Sequence, residues 1–214
     1  PLPTVHLENM GRETDTYLRH IINNYENLSD YSVFLQGFPH EQTTGREHGL
    51  NMRLKAMYPS SRCVVSLLQE ILKKPEPIFA FDGFCGLGTI RNLPFPGGVI
   101  STDVPQFGNP DEHCLRVLWN FIFQNPVLPP ECPTEYFDGA MFIVSRDTIL
   151  NRSRQFYINC LDITNHGGKY GLPEDPYNKK GHEHGHHYTE INQMPTAFER
   201  MWPFIFNDKI IANF

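Results

Sequence analysis

Apolar positions along this chain alternate between two spacings. Tyr17, Leu18, Ile21, Ile22 and Tyr25 recur at helical spacing, with Asp15 or Thr16 placed to cap the start. Asn27 to Asp30 is turn chemistry, and Tyr31-Ser32-Val33-Phe34-Leu35 then reads as a buried strand. With Val5-His6-Leu7 as a short first strand, the order strand, helix, strand predicts a βαβ unit with its loop at the carboxyl end of the first strand. A second such unit follows. "VVSLLQEILK", Val64 to Lys73, has helical spacing, Pro75 and Pro77 stop it, and Ile78-Phe79-Ala80-Phe81 resumes as a strand ending in Asp82-Gly83.

From Gly83 to Gly108 the many Gly and Pro residues predict an irregular excursion. Asn109-Pro110-Asp111-Glu112 is a helix start, with a cap, proline at the first position and acids in the first turn. That helix continues through Leu115, Leu118, Phe121 and Ile122 to Pro126. Ala140 to Val144 reads as another buried strand, followed by a helix near Asp147 to Leu161. Residues 165–194 read as a long loop rich in Gly, His and Pro, and a last helix, "PTAFERMWPFIF", starts at Pro195. The pattern predicts an α/β fold: one domain over residues 1–214, three layers α/β/α, with a mainly parallel central sheet covered on both faces. The long loops argue that something is bound.

Composition narrows this picture. At 214 residues and 40% hydrophobic, the chain can bury one sizeable core. Its formal net charge of -6 argues against a general nucleic-acid or anionic-membrane surface. No apolar run approaches the roughly 20 residues of a membrane span, and no signal peptide is read. The chain begins at Pro1 without a methionine, which reads as a trimmed chain or part of something longer, its targeting segments missing rather than absent. Five widely spaced cysteines without a CxxC pair suggest reduced, half-buried thiols in a soluble, cytoplasmic protein rather than a zinc knuckle or disulfide framework.

The predicted topology gathers three loops, because ligands of such sheets bind at the carboxyl ends of strands near helix amino termini. They are Asn9 to Asp15, Gln36 to His40 and Asp82 to Gly88. In the stretch "ENMGRETDTYLRHIINNYENLSDYSVFLQG", three polar side chains crowd the turn before a helix. Arg12 can pair with phosphate, Asn9 can read a base or ribose edge, and Glu13 can hold Arg12 or a hydroxyl. Gln36 and Gly37 join them at the end of the next strand. The plainer reading is a helix cap with a solvated Arg–Glu pair.

That stretch, with "YFDGAMFIVSRDTILNRSRQFY" and "AFERMWPFIF", resembles a domain family of unknown function, DUF3431. The shared features are an N-x-G-R-E loop, a Tyr-Leu helix, a strand ending in Gln-Gly, a Phe-x-Val-Ser strand and a closing Glu-x-x-Trp helix. In its order of elements that family is similar to GT-A glycosyltransferases. The resemblance implies a nucleotide-sugar donor at the first βα loop, a glycan or glycoprotein acceptor, and a divalent metal, Mn²⁺ or Mg²⁺, at a later strand end. It implies Asp82 as a metal residue, although Asp82 is followed by Gly-Phe and no Asp-x-Asp occurs there. Asp103 supplies one further acid.

The cluster "GHEHGHH" adds His184 and His186, with His182, Glu183 and His187 beside them. Imidazoles at alternate positions can hold a transition metal, whereas the plainer reading is a solvated loop with adventitious affinity. For the base that takes the acceptor's proton in an inverting transfer, the candidates are Glu199 and Asp138. Glu199 stands between Phe198 and Trp202 on the last helix; its plainer role is a surface or capping Glu. The leading expectation is a glycosyltransferase. The alternatives are a non-catalytic nucleotide- or carbohydrate-binding module and a metal-dependent hydrolase built on the histidines.

Overall fold

Helix α1 (Arg12–Asn24) leads through a 3₁₀ turn (Tyr25–Asn27) into strand β1 (Tyr31–Phe34). The computed structural model describes residues 12–36, 52–73, 83–92, 118–119, 122–123, 135–137, 139–166 and 193–207. Next come α2 (Met52–Met57), α3 (Val64–Lys73), β2 (Phe84–Gly86), β3 (Ile90–Asn92), β4 (Glu135–Phe137) and β5 (Phe142–Ser145). Helices α4 (Arg146–Leu150), α5 (Arg154–Asn165) and α6 (Gln193–Ile205) complete the described chain. Leu118, Trp119, Ile122 and Phe123 are helical and buried, in line with the helix read there.

The sheet corrects the expected architecture. Three strands pair in the order β1-β5-β2, and β5 is antiparallel to both neighbours. Phe142 stands opposite Phe34 on one side and Gly86 on the other. A separate antiparallel pair joins β3 to β4, with Ile90 opposite Phe137. The mainly parallel GT-A-like sheet is not present among the described residues. The reason is one of information: strands of three or four apolar residues show burial but carry no mark of direction. The partner of β1 comes from β5, far along the chain, and not from a strand returned by the next helix.

Successive side chains of β5 serve opposite faces, as the strand period requires. Phe142 and Val144 join a large cluster with Leu18, Ile21, Phe34, Tyr157, Phe198 and Trp202 from α1, β1, α5 and α6. Met141 and Ile143 turn to a smaller cluster with Leu54, Val64, Leu67 and Ile71 from α2 and α3. Apolar side chains on both faces explain why β5 reads as an unbroken apolar run.

Local signals decided several boundaries. Helix α3 spans the residues read from its spacing. Helix α1 begins at Arg12, so Asp15 lies within it rather than capping it. The helix expected over Asp147 to Leu161 is two helices. Ser145 caps α4 by accepting from the Thr148 N–H, and Ser153 caps α5 by accepting from the Phe156 N–H. The excursion after Gly83 contains β2 and β3. The first strand at Val5 to Leu7, and the strand at Ile78 to Phe81, lie outside the described residues.

Gly86 permits the close approach of β2 to the ring of Phe137, and a Cβ there would run into that ring. Gly86→Ala should therefore destabilise the fold by about 1–3 kcal/mol, the usual range for overpacking. The check is a lower urea midpoint at unchanged slope; an unchanged midpoint would mean that Phe137 swings aside freely.

Candidate functional site

Glu13 and Tyr17 occupy successive turns of one face of α1, at the four-residue spacing that makes helix neighbours. Tyr17 is buried, with its ring 4.8 Å from that of Phe34, 5.8 Å from that of Phe142 and 6.2 Å from that of Trp202. Burial pushes its hydroxyl pKa far above the ordinary tyrosine value, and the charges of Glu13 and Glu199 push it further. Its oxygen has no hydrogen-bond partner among the described residues.

Helix α6 packs against α1 and β4 and supplies the other half of the cluster. Glu199 and Trp202 lie three residues apart and so share a face. The Glu199 Oε1 atom accepts a hydrogen bond from the Gly139 N–H at 2.6 Å. Gly139 belongs to the turn between β4 and β5, where its φ is 86° and that of Ala140 is 46°. Glycine adopts this region freely, whereas alanine is strained there, at a cost of order 1–3 kcal/mol. Glu199 thus holds a left-handed turn. Trp202 is 1% exposed, and its Nε1 has no partner among the described residues.

Behind this cluster, Asp15 anchors α1 to α5. Its carboxylate accepts from Arg19 Nε at 2.7 Å and from Asn165 Nδ2 at 3.1 Å. Asp15 is 1% exposed, so its two donors offset the loss of water. Glu13 and Tyr17 therefore stand on a helix whose position is fixed from the other side.

Of the residues named from sequence, Glu13 shares a face of α1 with Tyr17 and Glu199 a face of α6 with Trp202, and those two rings lie 6.2 Å apart. Gln36, partly buried, follows Phe34, whose ring contacts Tyr17. Arg12 is the first residue of α1. Asn9, Gly37, Asp82, Asp103, Asp138, His184 and His186 lie outside the described residues. Among the described residues no group of three or more His, Cys, Asp or Glu side chains could hold a metal ion.

Sequence reasoning passed over Tyr17 and Trp202 as site residues. Helical apolar spacing marks both as core, and only their polar tips, with a Glu four residues before Tyr17 and three before Trp202, hint at more.

Two other features stand apart from the cluster. The Cys63 thiol, just before α3, has its pKa lowered chiefly by hydrogen bonding with Ser66. A cleft of about 410 Å³ is lined by Met57, Tyr58, Pro59, Ser60, Glu70 and Lys73, and the Glu70–Lys73 pair at 2.8 Å already satisfies its charges.

Residues 3–70 match the model of a family described as a protein of unknown function (DUF3431). The stretch takes in α1, β1, α2 and most of α3, and with them Glu13, Tyr17 and Gln36. It agrees with the resemblance carried by the N-x-G-R-E loop and the Tyr-Leu helix. No curated protein and no solved structure matches the chain. The further likeness to GT-A glycosyltransferases loses its ground, since the antiparallel sheet is not that fold. No helix among the described residues is long and apolar enough to cross a membrane.

Proposed function

We propose that the protein transfers a glycosyl group from a nucleotide-sugar donor to a hydroxyl of a glycan or glycoprotein, with the α1–α6 cluster as its site. The observation that supports this reading is the placement of Glu13 beside Tyr17 on α1 and of Glu199 beside Trp202 on α6, with the two rings 6.2 Å apart. Carboxylates beside aromatic rings suit a polyhydroxylated ligand, because the rings cover its apolar faces and the acids accept from its hydroxyls. In the proposed step Glu199 takes the proton of the acceptor hydroxyl as its oxygen bonds to the anomeric carbon. The bond from that carbon to the diphosphate breaks, and the nucleoside diphosphate leaves with the electron pair. Glu13 holds a sugar hydroxyl, and Arg12, at the start of α1, is the residue for the diphosphate. Mn²⁺ or Mg²⁺ at Asp82, Asp103, His184 and His186 belongs to the proposal, but no step depends on it.

The Glu199–Gly139 bond favours a second reading, a carbohydrate-binding module without turnover, because it gives Glu199 a structural duty. Glu199→Gln separates the two. Glutamine keeps an oxygen for the Gly139 N–H but has little basicity. Turnover should therefore fall on the order of 10²-fold while donor affinity and melting temperature hold. Nucleotide-sugar binding by the wild-type protein without any transfer would select the module. Transfer that survives the substitution would remove Glu199 as the base.

A further inference from the structure

Two hydrogen-bond donors at the heart of the cluster have no partner among the described residues. Tyr17 Oη and Trp202 Nε1 are both buried and unpartnered, on rings whose centres lie 6.2 Å apart. An indole N–H can only donate, and a phenol held in its neutral form by burial donates as well. A buried donor with no acceptor is a standing penalty that the free protein carries. Each of these donors, on adjoining helices, lacks an acceptor oxygen among the described residues.

The surroundings restrict that oxygen. Glu13 and Glu199, both half-buried, are acceptors that repel an anion, so a carboxylate or phosphate is disfavoured. The complementary group is neutral, with a strong acceptor oxygen on one side and a donor N–H on the other. A secondary amide meets both demands, because its trans geometry points C=O and N–H in opposite directions. Its carbonyl would meet Tyr17 and Trp202, and its N–H a carboxylate. A sugar hydroxyl is a poorer fit, since its oxygen is a weaker acceptor and it carries its own donor to the same spot.

On the reading of this cluster as a glycosyl site, we infer that Tyr17 and Trp202 bind the carbonyl oxygen of an N-acyl group. The site then takes an N-acetylated hexosamine in preference to an unsubstituted hexose. Neither donor atom touches solvent in the unliganded fold, so binding opens the cluster locally.

The sequence holds two tryptophans, Trp119 and Trp202, so the two indole N–H resonances can be assigned with a Trp119→Phe variant. The protein is titrated with N-acetylglucosamine and, separately, with glucose, while indole and backbone resonances are followed. N-Acetylglucosamine should shift the Trp202 indole and bind at least about tenfold more tightly than glucose. Tyr17→Phe should leave the melting temperature unchanged or raised, since it removes a donor that has no partner, and should abolish most of that preference. Equal response to both sugars, or sugar binding that leaves the Trp202 indole unmoved, overturns the N-acyl inference and leaves the glycosyl site standing. A Tyr17→Phe protein that keeps the full preference overturns it too. No resonance moved by either sugar overturns the inference and the glycosyl reading together.

Discussion

Raising the pH from about 8 to about 11 in reductant should unfold this protein cooperatively. Four buried acids drive it. Burial pushes the Cys85 thiol up to about 12 and raises Cys160, Tyr17 and Tyr157 well above their ordinary values. Each is neutral in the folded state and ionises once the chain opens. A raised folded pKa gives stability that is complete below the unfolded pKa and is lost as pH rises above it. The unfolded values, near 9 for the thiols and 10 for the phenols, set where the loss begins. At about 1.4 kcal/mol per group and pH unit, two thiols and two phenols forfeit on the order of 8 kcal/mol by pH 11. That rivals the whole stability of a typical domain, about 5–15 kcal/mol. Far-ultraviolet circular dichroism and tyrosinate absorbance, recorded together, provide the check. The last tyrosines should ionise only as the helical signal collapses. If all nine ionise while the signal persists, Tyr17 and Tyr157 are not buried as described.

Phe142→Ala should be the most damaging of the single core truncations at the cluster. Phe142 is 1% exposed on the central strand β5, and its ring meets those of Tyr17, Phe34, Phe84, Trp202 and Phe206. The Phe34 and Phe142 rings lie 5.0 Å apart across the β1–β5 pair, and the Trp202 ring lies 5.3 Å away from α6. The ring therefore ties β5 to α1, β1, β2 and α6. Truncation removes those contacts and leaves a cavity that rigid neighbours fill poorly, so the loss should be about 3–5 kcal/mol. Denaturant unfolding of both proteins measures it. A loss below about 1 kcal/mol would show that the surrounding rings collapse into the space. Val33, on β1 but 38% exposed, is the control, and Val33→Ala should change stability by well under 1 kcal/mol.

Much of the candidate site is legible in the residues once the neighbours are known. Glu13 stood out because it crowds a helix start with Asn9 and Arg12, and Glu199 because it sits between aromatic residues. No pattern in the chain could show that Tyr17 and Trp202, their helix neighbours, meet, since that depends on α6 returning to α1. Asp15 was misplaced for a related reason. It looks like a cap because Asp often caps, yet the helix runs past it, and Asn165, far along the chain, supplies the partner that keeps it buried.

What the sequence determined by itself is what short-range physics governs. Helical spacing defined α3, and apolar content marked β5 as buried; β1, read the same way, leaves Val33 exposed, and the caps at Ser145 and Ser153 divide a stretch read as one helix. Tertiary structure alone decided the direction and order of the strands. A four-residue apolar strand pairs with whichever neighbour its side chains and connections allow, in either sense, and its composition is the same in both. It also decided which polar atoms are left unmet. Tyr17 and Trp202 are core residues by pattern, and only the packing of α1 against α6 leaves their donors buried without an acceptor.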